Sequence, residues 1–481
     1  MTKLTHITDY LARDAQEFAD KPAFICQDRT LSWAELDREA ARMAMCILER
    51  IDSAEQQVVG VLLANSWQFI VTYLGILRAG HIVLPLDPSF KKLENETITE
   101  QVKPVVTVTN HHFLTELPDE FETILFEATT PKGHAGKREP IRLPATDQIA
   151  TLLFTSGTTG KPKVTAYTHA NHLWNIDAVA DLWNWTSDDT ILLSLPLSHW
   201  HGLVMGVAGA LHRANTVYLP ERFSAEATVA ALQSGDVTLF MHVPIAYFKL
   251  VEYAEAAGRK FDISGVRLCI SGSSYLPPAI WRSFQEWYGQ DILERYGSSE
   301  TGLIASNTLE ARHPGVVGHV LPGVEVRVES DGQLAMRSSG RFLGYFRNPQ
   351  ATAKNFTRDG WWLTGDIGEF NEDGKLRLKG RIQEKIKKLG YTVFPRDVEW
   401  ALMQNPAVHD VVVIGLQVPE SLSDTMVYFV VSDLSEQAIT DYCKANLPSA
   451  WRPDRITKLD EMPKTRSGKP KLALLRTMIE L

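Results

Sequence analysis

Residues 58–86 read VVGVLLANSWQFIVTYLGILRAGHIVLPL, and the changes of periodicity inside this stretch decide the fold class. VVGVLL has the continuous apolar character of a buried strand, Ser66 to Ala79 the spacing of a helix, Gly80 the character of a helix stop, and HIVLPL that of a returning strand. The run as a whole is apolar enough to raise the question of a membrane span. Asn65, Ser66, Gln68 and Arg78 interrupt it too often for that, and a βαβ unit is the reading that remains.

The same alternation recurs downstream. ILLSLP, TVYL, VTLFMHV and VRLCIS read as strands, and Ala225 to Gln233, Ile245 to Ala257 and Pro277 to Tyr288 as helices. The pattern implies a large α/β body with mainly parallel sheets. After about Gly315 the texture changes to period-two runs such as VEVRV, with Asp331-Gly332 and Asp373-Gly374 as hairpin turns. From Gln383 onward, a helix opening at Pro395, strands DVVVIGLQV and MVYFVV and a helix from about Ser435 predict a small α+β domain. The expected division is therefore 1–382 for the N-terminal domain, with a β-rich subdomain over about 315–382, and 383–481 for a mobile C-terminal domain. The linker is expected within Arg381 to Glu384.

A chain of 481 residues exceeds what one hydrophobic core usually supports, which agrees with at least two packed units. Its net charge of -9 argues against a general electrostatic hold on nucleic acid or an anionic membrane. Cys26, Cys46, Cys269 and Cys443 show no CxxC spacing, and MTKLTHITDY lacks the apolar centre of a secretory signal. A reduced cytoplasmic setting is the expectation.

Four segments carry chemistry. LLFTSGTTGKPK places Thr155, Ser156, Gly157, Thr158, Thr159, Gly160 and Lys163 after a short apolar run, where small residues let the backbone approach phosphate and hydroxyl, amide and ammonium groups can meet its oxygens. The spacing is not GxxxxGK[ST], which disfavours an ordinary P-loop hydrolase; a surface turn is the plain alternative. RYGSSETG supplies Glu300 as a carboxylate suited to Mg²⁺ beside a triphosphate, Ser299 as a phosphate donor and Tyr296 as a flat face for a base. WWLTGDIGEF supplies Asp366, and LKGRIQEKIKKLGYTVFPRDVE supplies Arg381 with Lys385, Lys387 and Lys388, apt for ribose hydroxyls and phosphate or else simple surface charge. MPKTRSGKPKL places Lys469 in a basic loop near the end of the chain.

Taken in order, TSGTTGKPK, SLPLSHWHGL, YGSSETG, LTGD, GRIQEKIKKLGYTVFP and KTRSGK resemble the adenylate-forming superfamily of acyl and aryl coenzyme A synthetases, adenylation domains and luciferases, over almost the whole chain. The resemblance implies ATP-dependent conversion of a carboxylic acid to acyl-AMP, then thioester formation with coenzyme A, by an acid-thiol ligase using Mg²⁺. It assigns Lys469 to the carboxylate and α-phosphate, Glu300 to the metal, and Ser273, Ser274 and Tyr296 to the adenine. Asp366 and Arg381 fall to the ribose, Ser299 to phosphate and His199 to the acyl carbonyl and thiol channel. Gln383 falls at the hinge of a rotating C-terminal domain and Gly390 on the turn that swings toward the channel. Departures are Val164 where relatives usually have Gly, Ser299 where they have Thr, and Gln383 where many have Asp or Lys. Two alternatives stand beside this reading: loading onto the phosphopantetheine of a carrier-protein partner, and a noncatalytic nucleotide-binding regulator.

Among the acids, PLSHWHGL lacks the Asp with which amino-acid-activating relatives hold the substrate ammonium. SHWHGL, MHVPIAYFKL, SGSSYLPP and ILERYGSSETG are most similar to malonyl-coenzyme A synthetases. That likeness implies a small dicarboxylate, with Arg295 and Lys249 as cations for the distal carboxylate and Val243 and His201 beside the acyl group. Lys249 stands where the subgroup often has Arg, and a compact ammonium lacks the bidentate fork of guanidinium. For Arg295 the structural alternative is an internal ion pair.

Overall fold

The computed structural model describes residues 4–118, 121–128, 140–155, 163–417, 423–464 and 470–479. The opening stretch folds as read: strand Val58–Leu62, helix Trp67–Arg78 and strand Ile82–Pro85, the two strands parallel neighbours. Ser66 caps the helix by accepting from the Phe69 amide at 3.3 Å, and Gly80 leaves it at φ +86°. The helix is buried along nearly its whole length, which accounts for its apolar run without a membrane. Among the described residues no helix is long and apolar enough to cross a membrane.

This unit belongs to a seven-stranded sheet whose order along the edge is Gly344–Tyr345, Lys163–Thr168, Ile149–Thr155, Ile82–Pro85, Val58–Leu62, Val106–Thr109 and Thr123–Leu125. A second sheet of nine strands runs from His319–Val320 through Gly302–Ser306, Ile292–Ser298, Leu268–Ser271, Leu239–His242 and Thr190–Leu192 to Thr216–Leu219, Pro22–Cys26 and Thr30–Ser32. Parallel pairs fill the middle of each sheet; antiparallel pairs close both edges of the nine-stranded sheet and one edge of the seven-stranded sheet, whose other edge, Thr123–Leu125, is parallel. The expectation of mainly parallel sheets therefore holds for the interior, where both faces are covered.

The β-rich part is a four-stranded antiparallel sheet, Val324–Val328, Gln333–Ser338, Trp362–Phe370 and Leu376–Arg381. Its two hairpin turns place Gly332 and Gly374 at φ +83° and +73°, conformations that explain glycine at both positions. Beyond it, the short hairpin Ile386–Lys388 and Tyr391–Val393, helix Pro395–Leu402, strands Val408–Leu416, Thr425–Ser432 and Arg455–Lys458, and helix Glu436–Asn446 build separate apolar cores. Ile386, Val393, Val398 and Leu402 share one of those cores, so the hairpin and the first helix pack as one body.

The sequence reading missed the geometry of HWHGL. ILLSLP is a strand only over Thr190–Leu192, and His201–Ala208 then winds as a π-helix, buried throughout. A Cβ on Gly202 would lie 2.4 Å from the Pro196 carbonyl oxygen, so the glycine permits the close return of the chain that seats this segment.

Gly75 has a similar role in the opening unit. A Cβ there would come within 2.4 Å of Met43 Cγ on helix Trp33–Arg50. Gly75→Leu is expected to cost about 2 kcal/mol of stability through overpacking, measurable as a lower melting temperature in calorimetry. An unchanged melting temperature would show that these two helices have slack that the close contact denies.

Candidate active site

A cavity of about 380 Å³ opens between the large unit and the C-terminal strands. From one side it is lined by Ser271, Ser273, Ser274, Arg295, Tyr296 and Asp366, and from the other by Arg396, Glu399, Val411, Val413, Lys464 and Pro470.

At its centre stands a carboxylate held by two partners. Asp366 and Arg381 face one another across the antiparallel strands Trp362–Phe370 and Leu376–Arg381, and Arg381 Nε donates to Asp366 Oδ1 at 2.9 Å. Tyr296, from the nine-stranded sheet, donates its hydroxyl to Asp366 Oδ2 at 2.6 Å. Burial and the neighbouring Asp366 push the Tyr296 hydroxyl well above its ordinary pKa, and Asp366 draws that of Arg381 upward. Tyr296 is thus a buried hydrogen-bond donor to Asp366 as well as a wall of the cavity.

The described ends of the TSGTTGKPK motif lie on two paired strands. Thr155 and Lys163 are cross-strand partners at the end of an antiparallel pair. Ser156, Gly157, Thr158, Thr159 and Gly160 lie outside the described residues. Val164, the departure from the usual Gly, pairs with Phe154 and is buried in an apolar cluster, the environment a β-branched residue suits. Lys163 Nζ stands 4.8 Å from the centroid of the Tyr345 ring, and the Tyr345 hydroxyl donates to Glu300 Oε1 at 3.1 Å. Ser298 Oγ donates to Glu300 Oε2 at 3.2 Å. Glu300 is therefore tethered by two neutral hydroxyls and has no ion-pair partner among the described residues. Such a carboxylate fits Mg²⁺, which takes few protein ligands and fills its octahedron with phosphate oxygens and water. Among the described residues no cluster of three or more His, Cys, Asp or Glu competes for a metal. Ser299 lies half-buried in the turn beside it.

Ser273 and Ser274 line the cavity, and Ser273 holds φ +69°, a left-handed conformation that costs a non-glycine residue free energy. Its hydroxyl approaches His201 Nδ1 at 3.4 Å. His201 is buried, and desolvation first, then Arg295 and His242, hold its imidazole well below its ordinary pKa, so it is neutral at pH 7.

Arg295 is the most telling residue of the set. It is 4% exposed, its Nε and Nη2 lack hydrogen-bond partners, and no carboxylate pairs with it among the described residues. The internal ion pair that the sequence allowed is not formed there. A Cβ on Gly272 would lie 2.5 Å from Arg295 Nε, so that glycine makes room for the guanidinium, while Trp200 offers a ring face 5.9 Å from its Cζ. Burial pushes its pKa down to about 10, leaving it charged at neutral pH.

Lys249 does not join it. Its side chain is 52% exposed and pairs with Glu252 at 3.5 Å on the outer side of helix Pro244–Ala257, which removes the second cation expected in the acyl pocket. Pro244, Ile245 and Phe248 of this helix reach the cavity, whereas the Lys249 ammonium is held at the surface by Glu252. Val243 is buried as the cap residue before that helix. His199 stands outside the cavity, 48% exposed, with Nε2 3.7 Å from Asp87 Oδ2. Of the basic run, Lys388 is buried and paired with Asp454 at 2.8 Å, a structural role.

Gln383 lies in a single 3₁₀ turn, Ile382–Glu384. Gly390 comes after Leu389 in a tight turn, with φ values of +81° and +53°, that faces solvent and leaves Tyr391 67% exposed. Lys469 lies outside the described residues; Lys464 and Pro470 on either side of it both line the cavity. Reasoning from sequence missed Tyr275, Glu294, Arg396 and Glu399, which also line it. Burial pushes the carboxyl of Glu294 up to about 8 and that of Glu399 up to about 7.

The AMP-binding enzyme family matches residues 11–346, and its companion, the AMP-binding enzyme C-terminal domain, matches residues 397–469. The chain belongs to this family. Similar curated proteins include the mitochondrial malonate–CoA ligase of Homo sapiens, 29% identical with 96% of this chain and 91% of that protein covered, and the malonate–CoA ligase of Arabidopsis thaliana, 26% identical with 97% and 88% covered. Among solved structures, ATP-bound MatB from Rhodopseudomonas palustris superposes with a TM-score of 0.89 at 25% identity, covering 99% of each chain.

Removing the central carboxylate should be felt twice. Asp366→Ala leaves the buried Tyr296 hydroxyl unpaired and is expected to cost about 2 kcal/mol in thermal unfolding. The same variant should raise the dissociation constant for ATP at least roughly tenfold in a binding titration. Unchanged melting and unchanged titration would contradict the arrangement.

Proposed function

We propose that this protein is an AMP-forming acid–thiol ligase that activates malonate, or another short dicarboxylate, and transfers it to coenzyme A. The observation that supports the acid is Arg295. An unpaired buried charge costs several kcal/mol, a cost that a ligand's carboxylate offsets when it binds. One carboxylate then meets Arg295, and the chain between the two carboxylates has to be short for the other to reach the phosphates. The acid reading also has relatives behind it, since malonate–CoA ligases are among the similar proteins.

In the first half-reaction a substrate carboxylate oxygen attacks the α-phosphorus of ATP. The bond from that phosphorus to the bridging oxygen breaks, and pyrophosphate leaves with its electrons. Two anions approach one another, so the protein's task is alignment and charge neutralisation. Arg295 fixes the distal carboxylate, Asp366 and Arg381 take the ribose, and Ser273 and Ser274 border the adenine. Lys469 and the Thr155–Lys163 loop, with Ser299, meet the phosphates. Glu300 would hold Mg²⁺, which when bound neutralises charge on the triphosphate.

In the second half-reaction the thiol sulfur attacks the acyl carbonyl, and AMP leaves with the electrons of the acyl–oxygen bond. The Gly390 turn is exposed and does not line the cavity in this orientation, and rotation about Gln383 would carry it toward the thiol channel beside His199. A reducing compartment such as the cytoplasm suits the four free cysteines, with burial pushing Cys26 and Cys269 up to about 12.

Two variants test this reading. Lys469→Ala should slow pyrophosphate release by at least roughly 10²-fold, and an unchanged rate would remove Lys469 from the mechanism. Arg295→Ala should raise the malonate KM by about 100-fold, while activity toward acetate stays at its wild-type level. Equal loss with both acids would mean that Arg295 supports the fold and does not read the distal carboxylate.

A further inference from the structure

Three cationic side chains bridge the large unit and the C-terminal unit at the rim of the cavity. Arg377, on strand Leu376–Arg381 before the hinge, donates to Asp397 at 3.3 Å on helix Pro395–Leu402 after it, and its Cζ lies 5.5 Å from the Trp400 ring centroid on the same helix. Arg396 stands 5.4 Å from the ring of Tyr275, and Lys464, paired with Asp410 at 2.5 Å, stands 5.3 Å from the ring of Phe248. The first contact differs from the others in kind. It joins opposite charges across the hinge, and Asp397 is mostly buried in it.

We infer that Arg377 is a positioning residue that, with Asp397 and Trp400, latches the C-terminal unit in the orientation used for adenylation. The inference rests on the two-step ligase reading. The hairpin carrying Gly390 and the helix carrying Asp397 share one core through Ile386, Val393, Val398 and Leu402. Any rotation about Gln383 that turns Gly390 inward therefore carries Asp397 and Trp400 away from Arg377. The contact exists in one orientation and is lost in the other, the condition under which an interaction biases a two-state equilibrium. Arg377 also faces Glu369 at 3.7 Å. Glu369 keeps Lys379 as a partner at 2.6 Å, so removing Arg377 leaves no carboxylate stranded within the β-rich sheet. Asp397 lies in the first turn of its helix, where a carboxylate is favoured in either orientation, and this makes Arg377 the cleaner site for substitution.

The test separates the half-reactions. A part-buried ion pair with an added cation–π contact predicts that Arg377→Ala slows pyrophosphate release in single turnover by roughly five- to tenfold. Thioester formation from supplied malonyl-AMP and coenzyme A should stay within about twofold. Arg377→Lys should recover part of the first rate, and Arg377→Ala with Asp397→Asn should be no slower than Arg377→Ala alone. A fluorophore pair at the exposed positions Glu226 and Lys444 gives a readout independent of the acid: with ATP, Arg377→Ala should broaden the single distance seen in the wild type. Equal slowing of both half-reactions, an additive double variant or an unchanged distance distribution would each overturn the latch. A wild-type protein inactive with malonate would instead defeat the substrate reading, and the distance measurement would still decide the latch.

Discussion

The carboxylate of Asp366 ties together parts of the chain that are distant in sequence. Tyr296 reaches it from the end of a strand in the nine-stranded sheet, and Arg381 reaches it from the last strand of the four-stranded sheet. One buried acid thus fixes the β-rich sheet against the α/β body and sets the point at which the C-terminal unit departs. Buried polar groups of this kind are costly when half-satisfied, so the three side chains act as a unit. The cavity's dimensions depend on that joint: one wall is carried by the strand that ends near Tyr296, the other by the C-terminal unit that begins just beyond Arg381.

Arg295 and Glu300 flank Tyr296 on the same stretch of chain and meet opposite circumstances. Arg295 is buried with no counter-charge among the described residues, and Glu300 is a carboxylate held only by hydroxyls. Each is suited to a ligand of opposite sign, one anionic and one cationic. Arg295 lies within strand Ile292–Ser298 and Glu300 in the turn just beyond it, so a single short motif supplies both. This economy of placement also explains Gly272, whose missing side chain leaves space for the guanidinium.

Much of this was legible in the sequence, for identifiable reasons. The βαβ unit at 58–86 is set by periodicity and two stops, and the hairpins at Gly332 and Gly374 by Asp-Gly pairs whose backbone conformation few other residues adopt. Asp366 and Arg381 were each expected at the ribose, and what the structure adds is that they are cross-strand neighbours joined by an ion pair. What sequence could not give was direction. Lys249 has the right charge and the right neighbourhood in the chain, and the helix turns it to solvent. The π-helical turn at His201–Ala208 depends on the close return of the chain at Gly202, for which an isolated glycine is only a weak sign. Arg396 and Glu399 line the cavity because two units meet there, a relation no local pattern encodes.

The most direct measurement is pyrophosphate release by the purified protein with ATP and Mg²⁺ across malonate, methylmalonate, acetate, a medium-chain fatty acid, benzoate and an amino acid, each with and without coenzyme A. Selective release with malonate, accompanied by malonyl thioester when coenzyme A is present, is the predicted result. Preference for a monocarboxylate would contradict the reading of Arg295 as a seat for a second carboxylate, and release with none of the acids despite ATP binding would contradict the ligase itself.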